Sequence, residues 1–289
     1  MAKKKSTKKR RGPSISPGAV RMIISGVVVV AVVAMCGGVV FVGTQAFKEA
    51  REAARRAQER RMAGGGAANS PALDDSLSAA SRNETKNRMQ RMGLGLHNFH
   101  DTYSHFPPQG TFAEPYHGET PQAWMTDLLP YVDQMGLYNS INHKAEWTDP
   151  LQGNAFKTVV ANYLNPSAKM NTDASGYALA FYAANSRVIS DSTLMKFSEL
   201  LDGGSNTMLT ATVTDGFLPW GNPMNHRDGA LGFGGGPQAF GAPYSGVALV
   251  LMADGSVKAV RNTIAPDVAQ KLADPADGQP IDWDREVPE

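Results

Sequence analysis

The chain is nearly devoid of cysteine: Cys36 is the single one among 289 residues. No intrachain disulfide can form, and a four-cysteine zinc site is excluded by the same count. Gly-x-Ser-x-Gly and His-Glu-x-x-His are also missing, which removes two common signatures of hydrolytic enzymes. Gly232-Phe233-Gly234-Gly235-Gly236 has no Lys-Ser/Thr after it and no strand feeding a helix, so it reads as loop and not as a phosphate cradle. Charge is absent from Met22 to Phe47. Positive charge is scarce beyond residue 62, where 14 Lys/Arg stand against 24 Asp/Glu, a net of −10. So acidic a head excludes a nucleic-acid partner, which needs cations along the phosphates.

The uncharged run of 26 residues, mostly Val, Ile, Ala and Gly, is long enough to cross a hydrocarbon layer with a little tilt. Before it stand Lys3, Lys4, Lys5, Lys8, Lys9, Arg10, Arg11 and Arg21, a charge of +8, against +3 for residues 48–62. That asymmetry keeps the tail cytoplasmic. The run exceeds the apolar core of a secretory signal, and no clear cleavage site follows it. Nuclear or nucleic-acid targeting is the alternative reading of the basic cluster; beside a span, topology and anionic-lipid contact account for it. The expectation is a single-pass anchor in the inner (cytoplasmic) membrane, with the lipid bilayer as partner, Cys36 packed inside the span and the head extracytoplasmic.

Composition divides the chain into a basic tail (1–21), a transmembrane helix (22–47), a juxtamembrane helix (48–62) rich in i,i+4 charge pairs, and a flexible Gly/Ala-rich linker (63–80). A main domain (81–273) and an acidic peripheral tail (274–289) follow. Within the domain, Met89, Met92, Leu96 and Phe99 have helical spacing between Ser81 and His100. Short helices are expected over Trp124–Tyr138, a helical or mixed segment over 155–164, and a last helix from Pro266 to Ala273. Strands are expected at Tyr177–Tyr182, Thr207–Val213, Val247–Ala253 and Ser256–Val260. Asp254-Gly255 is the strongest hairpin signal, because Gly accepts the positive φ such a turn requires. An antiparallel sheet follows.

The stretches MQRMGLGLHNFHDTYSHFPPQG, AWMTDLLPYVDQMGLYNSIN, LLDGGSNTMLTATV, LPWGNPMNHRD and GVALVLMADGSVKAVRNTI resemble, in order, the domain of unknown function 1559 family, abundant in Planctomycetes and similar to type IV pilins and type II secretion pseudopilins. The resemblance spans roughly Gln45 to Ala273. It implies an α+β, pilin-like fold: an N-terminal transmembrane helix, then a helix packed on an antiparallel sheet with long loop insertions. It also implies partners among other pilin-like or secretion-system envelope proteins. The chain departs from the family pattern in three places. No prepilin leader precedes the span and no Glu lies within it. The helix pieces Glu49–Gln58 and Asn87–Ser104 are separated by the Gly-rich stretch. Tyr244 stands where the family often has a His before the last hairpin.

Several residues invite a chemical reading. His97 and His100 share a helix side, with Asp101 and His105 close by, in the manner of zinc ligands; capping and packing beside Phe99 and Phe106 is the plainer reading. Asp202 in Asp202-Gly203-Gly204-Ser205-Asn206-Thr207 offers a hard oxygen of the calcium-binding kind, against a structural turn. Asp254 has the same two readings. Trp124, Trp147, Trp220 and Trp283 offer flat surface for a partner or glycan, or packing under loops. No catalytic, cofactor-binding or metal residue is assigned on these grounds, no cofactor is expected, and the chain is not expected to be an enzyme. Two functions remain: a membrane-anchored extracytoplasmic structural or interaction protein with a pilin-like head, or a ligand-, glycan- or metal-binding module using the loops from Trp220 to Gly246 around His226 and Asp228.

Overall fold

Helix α1 runs Ala72–Tyr103; its buried side is polar at Ser81 and Thr85 and apolar from Met89 onward. Met89, Met92, Leu96 and Phe99 recur along it and are all buried. Two glycines let its backbone come close to neighbours: a Cβ on Gly93 would stand 2.9 Å from Leu251 Cδ1, and one on Gly95 2.9 Å from Leu128 Cδ1. The helix stops at Ser104, which takes a φ of 66° and donates its N–H to the His100 carbonyl at 2.6 Å. Pro107-Pro108 then bars continuation. The computed structural model describes residues 72–110, 123–191 and 193–287. All of them belong to the second of two compact units, residues 67–289.

The sheet has five strands: β1 Tyr182–Asn185, β2 Met208–Thr212, β3 His226–Arg227, β4 Val247–Met252 and β5 Val257–Arg261. Their order is β3-β1-β2-β4-β5. The pairs β1–β2, β2–β4 and β4–β5 are antiparallel, and β1–β3 is parallel. At the β4–β5 turn Gly255 has a φ of 82° and donates to the Met252 carbonyl at 3.0 Å. The Asp254 carboxylate accepts the Ser256 N–H at 2.8 Å, closing the turn with its own side chain.

Both faces of the sheet are covered. On one side Leu249, Leu251 and Val257 pack with Met89, Met92 and Leu96 of α1, with the short helix α2 (Trp124–Leu128) and with Tyr163, Tyr182 and Trp220. Helix α3 (Met135–Ser140) extends this layer through Leu137 and Tyr138. On the other side Ala248, Val250, Met252 and Val260 meet Phe233, Phe240 and the residues Val268 and Leu272 of α4 (Pro266–Ala273). Trp283 of the final helix α5 (Trp283–Glu286) packs against that second core. A strand buried on both faces needs an unbroken apolar run, which is why β4 reads VALVLM. Each large side chain so buried stabilises the fold by about 1.5–3 kcal/mol.

Several expectations are corrected. The pilin-like fold class with an N-terminal transmembrane helix gives way to a mixed α+β fold with an open five-stranded sheet. Among the described residues no helix is long and apolar enough to cross a membrane. The 32-residue α1 is long enough, but Arg82, Glu84, Lys86, Arg88 and Arg91 along it are incompatible with a hydrocarbon layer. The run 22–47 that suggested a span lies outside the described residues, as do the tail 1–21 and the stretch 48–62. A membrane-anchored, extracytoplasmic protein with the lipid bilayer as partner and an inner-membrane address therefore has no support in the described fold.

Smaller corrections concern boundaries. The expected linker 63–80 is helical from Ala72. The expected strand Tyr177–Tyr182 begins only at Tyr182, because the main chain before it bonds to loops: Ala178 N–H to Phe156 O at 3.0 Å and Ala180 N–H to Leu218 O at 2.8 Å. The sheet is not wholly antiparallel, since β3 joins in parallel. The segment expected to be a peripheral tail packs back on the domain, with Ile281 buried.

Candidate functional site

The three clustered histidines go to three separate main-chain partners. His97 Nε2 lies 2.7 Å from the Ala253 carbonyl, so that nitrogen carries the proton and donates. His100 Nε2 does the opposite, accepting the Phe197 N–H at 3.0 Å. Burial lowers the His100 pKa from its ordinary 6.5, in keeping with an acceptor nitrogen that must stay unprotonated. His105 Nδ1 reaches the carbonyl of Phe106 at 2.7 Å. A metal needs lone pairs converging on one point; here His97 and His105 turn N–H groups to carbonyls and His100 alone spends a lone pair, tying α1 to the turn after β4 and to the 3-10 turn at Phe197–Glu199. Among the described residues no group of three or more His, Cys, Asp or Glu could hold a metal ion. The metal-binding alternative is corrected on that ground.

The loop at Asp202 is a fastener. Its carboxylate accepts the N–H groups of Asp277 and Gly278 at 2.9 and 2.7 Å, its N–H donates to Pro275 O at 3.2 Å, and Asn206 Oδ1 accepts from Ile281 N–H at 3.2 Å. These bonds hold the C-terminal segment to the domain. Gly204 is required here because a Cβ would meet the Asp254 N and the Phe197 ring, each at 3.0 Å.

The loops from Trp220 to Gly246 do not converge on a ligand. Trp220 is wholly buried on Phe156, with ring centroids 4.7 Å apart, and donates its Nε1 to Thr158 O at 3.0 Å. Trp124 is buried likewise, donating to Asn225 O at 3.0 Å. Trp147 and Trp283 are partly covered. Asp228 holds the Arg187 guanidinium at 2.8 and 3.3 Å and caps the Ala230 N–H at 3.1 Å; the same Arg187 reaches Asp274 at 3.1 Å. The Arg187 hydrogen bond helps hold the Asp228 carboxyl below its ordinary pKa, against burial, which pushes it up. His226 is half-buried, and its pKa is lowered by burial. Tyr244 is buried and shares a hydrogen bond with Thr85 of α1.

One heavily used polar residue is one the sequence reading did not single out. Arg227 is buried and donates to the carbonyls of Gly236, Ala239, Asp215 and Gly216, gathering the Gly-rich loop and the turn after β2. Burial lowers its pKa to about 10. Asn185, fully buried, donates to Met208 O and Ala273 O at 3.0 and 2.8 Å. The signal for Arg227 and Asn225 was present in the motif Asn225-His226-Arg227-Asp228, but its meaning was structural. A groove of about 300 Å³ opens elsewhere, between α1 and β5, lined by Arg82, Asn83, Lys86, Leu249, Lys258 and Ala259 among others.

Neither a curated relative nor a solved structure matches the chain, so likeness to pilins rests on sequence resemblance alone. A family model described as "Protein of unknown function (DUF1559)" does match residues 78–217, from within α1 to the turn after β2, and over that stretch the chain is similar to this family.

Proposed function

We propose that this domain performs no chemical step of its own and works by holding another polypeptide against its surface. The observation that supports the reading is how its polar side chains are employed. His97, His100, His105, Asp202, Asp228 and Asp254 are the residue types that catalysis draws on, and each is bonded to a main-chain or side-chain group of the fold itself. A general base needs a free lone pair within reach of substrate; the lone pair of His100 Nε2 is occupied by Phe197 N–H. What the domain offers instead is a sheet packed on both faces, a rigid support for a binding surface.

Native mass spectrometry of the full-length protein, beside in-cell crosslinking, tests this reading. The expected result is a chain free of stoichiometric metal or organic ligand, crosslinked to a second polypeptide. A metal or small molecule bound in stoichiometric amount and lost in His97→Ala or Asp228→Ala would overturn it.

A further inference from the structure

We infer that the free edge of β5 is a strand-docking site for an extended, acidic segment of a partner protein. The inference rests on the non-catalytic reading above and gives the partner its chemistry.

The hydrogen-bond phase of the β4–β5 hairpin is fixed at both ends. Met252 N–H donates to Ser256 O, and Asn262 N–H to Gly246 O, each at 2.8 Å. Between these ends Lys258 lies opposite Val250 and Val260 opposite Ala248. Antiparallel ladders alternate, so Lys258 and Val260 turn their main-chain groups toward β4, and Val257, Ala259 and Arg261 turn theirs away. The Arg261 carbonyl is taken by Ile264 N–H at 3.1 Å. Val257 and Ala259 face the outer side, where no described strand pairs with β5. Proteins commonly blunt such edges with proline, a bulge or an outward lysine. This edge has no proline, and its lysine is drawn aside, with Lys258 Nζ 4.9 Å from the centre of the Trp283 ring.

The flank of the edge decides what docks. Arg82 and Lys86 stand one helical turn apart on the exposed side of α1, with Asn83 between them, above a floor of Leu249, Val257 and Ala259. The neighbouring carboxylate Glu84 is bound by Arg88 at 2.9 Å, and Arg261 is exposed at the strand end. In an acidic domain this lining is cationic. Salt screens charges beyond about 8 Å, so the local lining and not the net charge selects the partner. An added strand would gain main-chain bonds from Val257 and Ala259, and Asp or Glu on its α1-facing side would reach Arg82 and Lys86. A second copy fits less well, since antiparallel β5–β5 pairing brings both sets of arginine and lysine together.

The test uses full-length protein and two peptides, one of alternating Asp and Val and one of alternating Lys and Val. The acidic peptide is expected to bind and to slow hydrogen exchange at the Val257 and Ala259 amides. Ala259→Pro removes an edge-facing N–H and none that pairs with β4, and is expected to weaken binding about tenfold or more. The double variant Arg82→Glu/Lys86→Glu lies on an exposed helix face, serves if Ala259→Pro fails to fold, and is expected to do the same. No binding, equal binding of the Lys/Val peptide, or binding indifferent to the variants overturns the proposal. Self-association abolished by Ala259→Pro would overturn the acidic partner in favour of a second copy. Crosslinks to a partner at some other surface would sink this edge while leaving the non-catalytic reading intact.

Discussion

The two edges of the sheet are finished by different means. At the β3 edge the ladder is two residues long, and side chains do what strands do elsewhere. Arg227 collects four carbonyls, Asn225 donates to Tyr182 O at 3.2 Å, and Gln109 bridges the Pro223 carbonyl and the Trp124 N–H. At the β5 edge the ladder is regular over five residues, and the outward main-chain groups of Val257 and Ala259 have no described strand beside them. Buried polar groups must be paired, so an edge covered by loops demands such fasteners. An edge left to water, or to a partner strand, demands none. The concentration of polar side chains at β3 is therefore a mark of closure, and the plainness of β5 is a mark of availability.

Substitutions at the two edges should separate accordingly. The largest effect is expected at Arg227→Met, which strands four carbonyls; a loss of about 3 kcal/mol or more in urea unfolding is expected. A loss below about 1 kcal/mol would mean that the closed edge is not held by this residue. Asp202→Ala should cost about 1–2 kcal/mol and speed amide exchange at Gly278 and Ile281, since the carboxylate ties the C-terminal segment down. A smaller effect concerns pH. Burial lowers the pKa of His100 below 6.5, so the unfolded chain binds the proton first. The stabilisation is complete above about 6.5 and is lost as pH falls through and below that value, with His226 acting in the same direction. His100→Gln should flatten part of that decline in thermal melts; a slope unchanged in both His100→Gln and His226→Gln would contradict the assignment. At the open edge, Arg82→Gln and Lys86→Gln should stay within about 0.5 kcal/mol of the parent.

Much of the regular structure was legible in the sequence. The Asp254-Gly255 turn, the flanking runs and the Pro266 helix appear with boundaries off by at most a residue or so, because local turn chemistry and apolar run length act together there. Tyr177–Phe181 misled because the run is as apolar as a strand but is buried by loops and not by a ladder. Strand β3 left no periodic trace in two residues. The helical character of 72–80 was hidden by a small, polar composition that also suits a linker. Of the candidate site little was legible: His97, Asp202 and Asp228 looked like chemistry, and only their partners, distant in sequence, show them to be fasteners. The β5 edge was invisible for the converse reason, since a main-chain group with no described strand beside it has no residue type.

Residue-resolved hydrogen exchange of the hairpin in the free, full-length protein tests the central claim most directly. The account predicts slow exchange at Lys258 and Val260, whose amides face β4, and fast exchange at Val257 and Ala259, whose amides face outward. Equal protection of all four would mean that the edge is already covered, and would contradict the account.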